Sequence, residues 1–356
     1  MKRFSQFSPY LVMFALLIAA PFLLQEFRLG LLAKFLCFAI VAVGICLIWG
    51  YTGILSLGHG VFFGLGAYCM AMYLKIEASP SGIPDFMEWT GVTELPWIWA
   101  MFRNPLAAIA AAVTVPVFLA FLLGYFTFRN NIKGVYFSLI SQAVVVVVVT
   151  LFIGSQGITG GTNGLTNFYS IFQYSLADPA MKRILYFTAL FFLGASVVLA
   201  LFLTRSRFGR LLQAVRDGEN RVRFFGYHST VFKVFIYCVS AAMAGIAGML
   251  FVLQDGMISP EMMGIIPSVE MVLWVAIGGR HSIFGAVLGA LLTNGMKSYL
   301  SEYYPDIWLY FLGALFIIVV LYMPKGIVGL FEKLINQLSS SKKKGAAAYE
   351  TDTYLP

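Results

Sequence analysis

The sequence predicts an all-α protein, a polytopic transmembrane helical bundle with about ten membrane passages. Three observations predict it. Of 356 residues 60% are hydrophobic and only 11% charged, where a soluble chain carries about 25% charged residues. The apolar residues come in long blocks, among them 106–128, 135–153, 184–203 and 234–253, each near the roughly 20 residues a helix needs to cross hydrocarbon. The net charge of +8 is gathered into particular connections rather than spread evenly.

Taken in order, the first run, Tyr10–Leu24, follows Lys2 and Arg3 and has no small-x-small cleavage site after it. It reads as an uncleaved first helix. Clear segments follow at about 31–49, 54–74, 105–128, 134–153, 184–204, 233–254 and 307–323. The stretch 269–297 is too long for one ordinary helix and is interrupted at Gly278-Gly279-Arg280-His281. Read as two short passages or a re-entrant pair, it brings the total to ten. Irregular backbone at membrane depth is tolerated only where it is buried in protein or lines a wet cavity, so this break is a candidate pathway element. Glu270, at the start of the stretch, reads as solvated near the outer boundary.

Charge sets the expected orientation. Seven basic residues against two acidic ones lie between Arg205 and Lys233, which places 205–233 on the cytoplasmic side. The connection from Lys75 to Arg103 has two basic and four acidic residues. With Pro80, Trp89, Trp97 and Trp99 it fits the outer face, the tryptophans lying at the lipid–water boundary. Arg129 and Lys133 mark a short inner turn. Both termini are expected inside, which requires an even number of passages. The lysines at 342–344 then sit in a cytoplasmic, disordered tail (336–356), either against anionic lipid or simply solvated.

The stretch GYTGILSLGHGVFFGLGAY, Gly50–Tyr68, holds six glycines. Glycine weakens a helix by about 1 kcal/mol against alanine, but in lipid it lets helix backbones approach. Gly60 and Gly64 form GxxxG, Gly285 and Gly289 repeat the spacing, and both pairs read as helix-packing positions. Phe63-Gly64 and Phe284-Gly285 stand similarly after their breaks, a hint of an internal repeat. His59 either faces a permeation route or caps a local kink. Thr52 and Ser56 precede it by seven and three residues, so on a helix they would share roughly its face. The Gly154–Arg183 connection, rich in glycine, asparagine and threonine, is a candidate vestibule or a flexible connector, with Asn163 as its candidate contact. Tyr169 and Phe172 are alternative interface anchors. Cys37, Cys46, Cys69 and Cys238 lie in apolar runs without metal spacing and read as packing residues.

Other chemistries lack their residues. There is no GxxxxGK[ST] phosphate loop, so nucleotide hydrolysis is not expected of this chain. No HExxH or paired carboxylates lie at depth, so no catalytic residues and no metal are expected.

The segment RSRFGRLLQAVRDGENRVRFFGYHSTVFK, Arg205–Lys233, places Phe208, Leu211, Leu212 and Val215 at helical spacing with arginines opposite. A break is expected at Asp217–Asn220, then a second short helix stopped by Gly226. Such a loop rests on lipid headgroups or docks a soluble motor. Together with VSAAMAGIAGMLF, GYTGILSLGHGVFFGLGAY, VAIGGRHSIFGAVLGALL and MPKGIVGLF, it resembles the inner-membrane permeases of branched-chain amino acid ABC importers. The resemblance runs from about residue 30 to 335. PDFM, ELPW and NGLTNF look like the urea-type branch of that family, while the bulky Arg280-His281-Ser282 departs from it.

The resemblance implies one transmembrane permease domain (1–335) that carries a small polar solute, urea in the first place, across a bacterial inner membrane. The same importer class carrying branched-chain amino acids, or a passive urea channel, are the alternatives. It also implies a second permease subunit, two ATP-binding subunits that use ATP and Mg, and an external solute-binding protein. No cofactor is implied in this chain and no nucleic acid among its partners. Arg216, Asp217, Glu219, Asn220 and Gly226 would couple to the ATPase, the charged ones as docking contacts and Gly226 in the turn. Thr52, Ser56, His59 and Asn163 are the expected solute-pathway residues.

Overall fold

The computed structural model describes residues 8–79, 82–92, 94–305, 307–322 and 326–330. The tail from 336 to 356 with its lysines, and Pro80 of the long connection, lie outside the described residues. In chain order the main helices are α1 (Ser8–Leu23), α2 (Glu26–Thr52), α3 (His59–Glu77), α4 (Pro105–Arg129), α5 (Val135–Gly154), α6 (Pro179–Arg205), α7 (Arg207–Phe224), α8 (Ser229–Asp255), α9 (Ile265–Gly278), α10 (Ile283–Tyr303) and α11 (Trp308–Tyr322). All except the amphipathic α7 are apolar. Helices α2, α4, α5, α6 and α8 are long and apolar enough to cross a membrane. The protein is an all-α, polytopic membrane protein.

Local sequence explains where these helices start and stop. Asn104 accepts from Leu106 N at 2.9 Å ahead of Pro105, and Asp178 from Ala180 N at 3.1 Å ahead of Pro179. An oxygen-bearing cap followed by proline is the usual helix opening. Gly53 (φ 73°) ends α2 and Gly256 (φ 76°) ends α8 in the left-handed conformation, where a side chain would be strained. The expected break in 269–297 falls at 279–282. It leaves α9 with 14 residues, about 21 Å long and too short to span alone.

Helix α8 is the hub, packed on α2, α3 and α4. Glycine permits the approach. A Cβ on Gly248 would stand 1.8 Å from Phe63 O, on Gly245 2.3 Å from Ala112 O, and on Gly66 2.2 Å from Gly245 O. Gly60 and Gly64 face Ser268 and Met263, while Gly285 and Gly289 face the backbone of Gly278 and Trp274. Gly60 and Gly64 meet the Ser268 and Met263 side chains, and the other contacts are backbone against backbone, where dispersion and the absence of side-chain bulk hold membrane helices together.

One face of the bundle carries the end of α2, all of α7 and the 279–282 break. The far face carries short helices at Asp85–Trp89 and Trp97–Ala100, a two-stranded hairpin (β1 Ser170–Ile171, β2 Tyr174–Ser175) and a bridge between Leu165 and Ile258. Two expectations are corrected there. Trp89 and Trp97 are each 81% exposed, but Trp99 is fully buried and donates Nε1–H to Ile158 O at 3.0 Å. Its ring fills the space beneath the short helices rather than a boundary. Glu270 is not solvated: it is buried and takes Lys297 Nζ at 2.8 Å, since an ionised carboxylate at depth needs a paired charge.

Gly248→Leu should cost more than the roughly 1–3 kcal/mol of ordinary overpacking, because the clash is with the Phe63 backbone. Gly30→Ala, with nothing within 4 Å of its Cβ position, should leave stability within about 1 kcal/mol. Thermal unfolding of the detergent-solubilised protein separates the two.

Candidate functional site

The site begins where α2 stops. The sequence put Thr52, Ser56 and His59 on one helical face; the structure ends α2 at Thr52 and leaves 53–58 non-helical. The reason is local: Gly53 turns left-handed, and the chain re-enters helix only at His59. The backbone groups this frees find side chains from other helices. Leu57 N donates to Ser141 Oγ at 3.0 Å, Ser138 Oγ donates to Leu55 O at 2.7 Å, and Gly60 N donates to Ser268 Oγ at 3.1 Å. Such groups left unpaired in hydrocarbon would each cost several kcal/mol.

The pathway candidates therefore separate. Thr52 turns its hydroxyl back to Ile48 O within α2. Ser56 and His59, both fully buried, share a polar seam with α8: Ser56 Oγ lies 3.5 Å from Tyr237 OH, and His59 Nε2 lies 2.8 Å from Ser240 Oγ. The His59 Nδ1 has no partner within the described residues. Asn163 is exposed in a 3-10 turn on the far face, beside the Leu165–Ile258 bridge and near Thr166, whose carbonyl accepts from Lys75 Nζ at 2.8 Å. Lys75 and His59 sit at opposite ends of α3, so Asn163 and the seam are not one site. Sequence reasoning missed Tyr237 and Ser240, although two hydroxyls three residues apart inside an apolar run were a readable signal.

Helix α7 supplies the second half. It buries Leu212, Val215 and Val222 against the bundle, is capped by Ser206, bends at Gly218 and stops at Gly226 (φ 83°). Arg216 turns inward, its Nη1 donating to Gly50 O at 2.6 Å and its Nε to Asp217 Oδ1 at 2.8 Å, with His281 Nδ1 at 3.3 Å. Asp217 is exposed, and the hydrogen bond from Arg216 holds its carboxyl below the usual range. Asn220 is exposed on the rim of a cleft of about 510 Å³ that Lys133, Arg216 and Glu219 also line. The bulky Arg280-His281 pair packs on the end of α2, the Arg280 guanidinium 5.5 Å from the Trp49 ring centre. It forms part of this rim.

Glu219 was read as a surface contact; the structure turns its carboxylate inward. Oε1 accepts from Lys233 Nζ (2.7 Å), Ser229 Oγ (2.8 Å) and Arg223 Nη2 (3.1 Å), while Oε2 pairs with Lys133 Nζ (2.6 Å). Burial opposes its ionisation, but the bonds from Lys133, Lys233 and Ser229 win and hold its pKa down at about 2. One carboxylate so ties α7 to α8 and to the α4–α5 turn. No group of three His, Cys, Asp or Glu among the described residues is placed to hold a metal.

A helical bundle with a broken, polar-lined seam and an amphipathic helix at its mouth is the architecture of a membrane permease. A family model described as branched-chain amino acid transport system / permease component matches residues 27–320, and the chain belongs to that family. LivM, a permease protein of the high-affinity branched-chain amino acid transport system of Salmonella typhimurium, is 26% identical over 95% of this chain and 79% of its own. LivH of the same organism is 24% identical over 82% of this chain and 91% of its own. BraD, a permease protein of the corresponding system of Pseudomonas aeruginosa, is 22% identical with the same two coverages. No solved structure matches the chain.

Glu219→Ala strands Lys233, whose side chain is only 8% exposed, and should cost about 3–5 kcal/mol. Because its folded pKa is depressed from 4.5 to about 2, Glu219 contributes stability above pH 4.5 and loses it as pH falls through 2. Melting temperature should be flat in this respect from pH 8 to 5 and decline below 4.5, with a shallower acid decline in Glu219→Gln.

Proposed function

We propose that this chain is one of two permease subunits of an ATP-driven importer in a bacterial inner membrane, with both termini cytoplasmic. The observation that carries this is α7. It is anchored through Glu219, touches the broken segment through Arg216, and holds Phe224 and Phe225 out at 91% and 82% exposure. An aromatic pair on a rigid basic helix fits a protein partner, and the two ATP-binding subunits, which would bind ATP and Mg, are that partner. Asp217 and Asn220 stand on the same open surface. The chain's similarity to both LivM and LivH of one organism supports pairing of two related permeases. A solute-binding protein would deliver cargo to the far face.

The transport systems to which the relatives belong favour a branched-chain amino acid as cargo, ahead of urea. Urea is the second reading, carried by PDFM, ELPW and NGLTNF. In the last of these Leu165 bridges Ile258 while Asn167 is held at φ 60°, so this motif fixes a turn against the segment that follows α8. A passive channel has no use for an α7 clamped by three donors from outside it, Lys133, Ser229 and Lys233.

Uptake of micromolar labelled leucine and urea, in cells with and without the gene, tests the reading. Gene-dependent leucine uptake that survives an uncoupler but fails on ATP depletion is expected. Urea uptake alone would move the chain to the second cargo, and ATP-independent uptake would overturn the importer. Phe225→Asp should cut uptake at least tenfold at unchanged protein level.

A further inference from the structure

Two clefts open on the α7 face. One, of about 510 Å³, is bounded by Lys133, Phe137 and Glu219; the other, of about 400 Å³, by Trp49, Arg280 and His281. Gly53, Arg216 and Asp217 line both, so the Arg216 side chain is the wall between them. Its stem passes close over Gly53, whose Cβ position lies 3.0 Å from Arg216 Cγ. Its guanidinium bonds Gly50 O, one of the last carbonyls of α2, where the negative end of the helix dipole favours a cation. Gly50 is pressed from the other side by Arg280 O, 1.8 Å from its Cβ position. The end of α2, helix α7 and the 279–282 break thus converge on one side chain.

Behind it, Phe128 and Phe137 line the larger cleft and stack at 4.9 Å, and Phe137 meets Tyr237 at 5.5 Å. Tyr237 leads to Ser56 and the His59 seam. We propose that Arg216 is a latch: its guanidinium shuts the α7-side mouth of the broken segment, and displacement of α7 withdraws it. The two clefts then join beneath the aromatic cluster, and the seam gains an exit. Arginine suits the task because one planar fork serves Gly50 O, Asp217 and His281 together, which an ammonium does not. A shift of α7 by one or two ångströms stretches the 2.6 Å bond to Gly50 O beyond hydrogen-bond range. Arg216 is a positioning residue here, distinct from the outward Phe224 and Phe225. The inference rests on the reading that solute crosses this chain.

The test uses the full chain with its native partners. In ATP-depleted cells Arg216→Ala should give at least tenfold more downhill flux of millimolar labelled leucine or urea than wild type, and Arg216→Lys an intermediate flux. In inside-out vesicles Cys46, buried and donating to Arg280 O, should react at least tenfold faster with a small thiosulfonate in Arg216→Ala. A cross-link supplies a second measurement, with Gly53→Cys alone as the control for strain at that left-handed position (φ 73°). Gly53→Cys with Arg216→Cys joins positions whose Cβ atoms are 3.9 Å apart, within the disulfide range. Oxidised, it should block both ATP-driven and passive flux; reduced, it should leak. An Arg216→Ala chain at wild-type level without leak and with Cys46 still protected overturns the latch, as does a transporting oxidised pair or a tight reduced one. If wild type imports neither solute, the proposed function fails, while Cys46 labelling still decides the latch.

Discussion

A backbone amide or carbonyl in hydrocarbon must find a partner, and the gap at 53–58 releases several at once. Everything near the seam follows from that constraint. Ser138 and Ser141 of α5 and Ser268 of α9 come close enough to serve Leu55, Leu57 and Gly60. They can do so only because glycines let the helices approach: a Cβ at Gly58 would meet Ser141 O at 2.8 Å. Breaking the helix and packing it closely are thus one requirement seen twice. The break supplies polar groups at depth, and the glycines bring hydroxyls within reach of them.

Charge is handled by the same rule. Lys34 pairs with Asp255, Lys297 with Glu270 and Lys75 with Asp85, so ions inside the bundle or at its rim meet opposite ions from other elements. Glu219 is the extreme case, with three basic side chains and a hydroxyl on one carboxylate. Such a cluster adds little net stability once desolvation is counted, but it is costly to break. Its effect is to fix geometry: α7 cannot move without carrying the α4–α5 turn and the start of α8. A rigid α7 holding Arg216 against Gly50 joins an exposed surface to the broken segment through a few bonds.

Much of this was legible in the sequence. Hydropathy blocks marked the helices, and the break at 278–281 was read within a residue because Gly-Gly before Arg-His cannot sit inside lipid. The amphipathic period of 205–225, its bend and its Gly226 stop were equally plain, since helix propensity and capping are local. What misled were assumptions about direction outside the apolar face of the amphipathic helix. Thr52, Ser56 and His59 were placed on one face by counting residues, which holds only while the helix continues. Trp99 was assigned to the boundary by composition, and Glu219 was expected as a docking contact from the resemblance alone, which does not say where its carboxylate points.

The sequence by itself determined the solvent, the course of the long apolar helices and the break near 278–281, because these depend on runs of neighbouring residues and on the cost of transferring them into lipid. Only the tertiary structure decided which side chains meet. Whether Glu219 faces water or Lys233, whether Arg216 reaches Gly50, and whether His59 finds Ser240 depend on contacts between residues 14 to 181 positions apart. Packing of backbone against backbone sets those distances, and no local pattern records them.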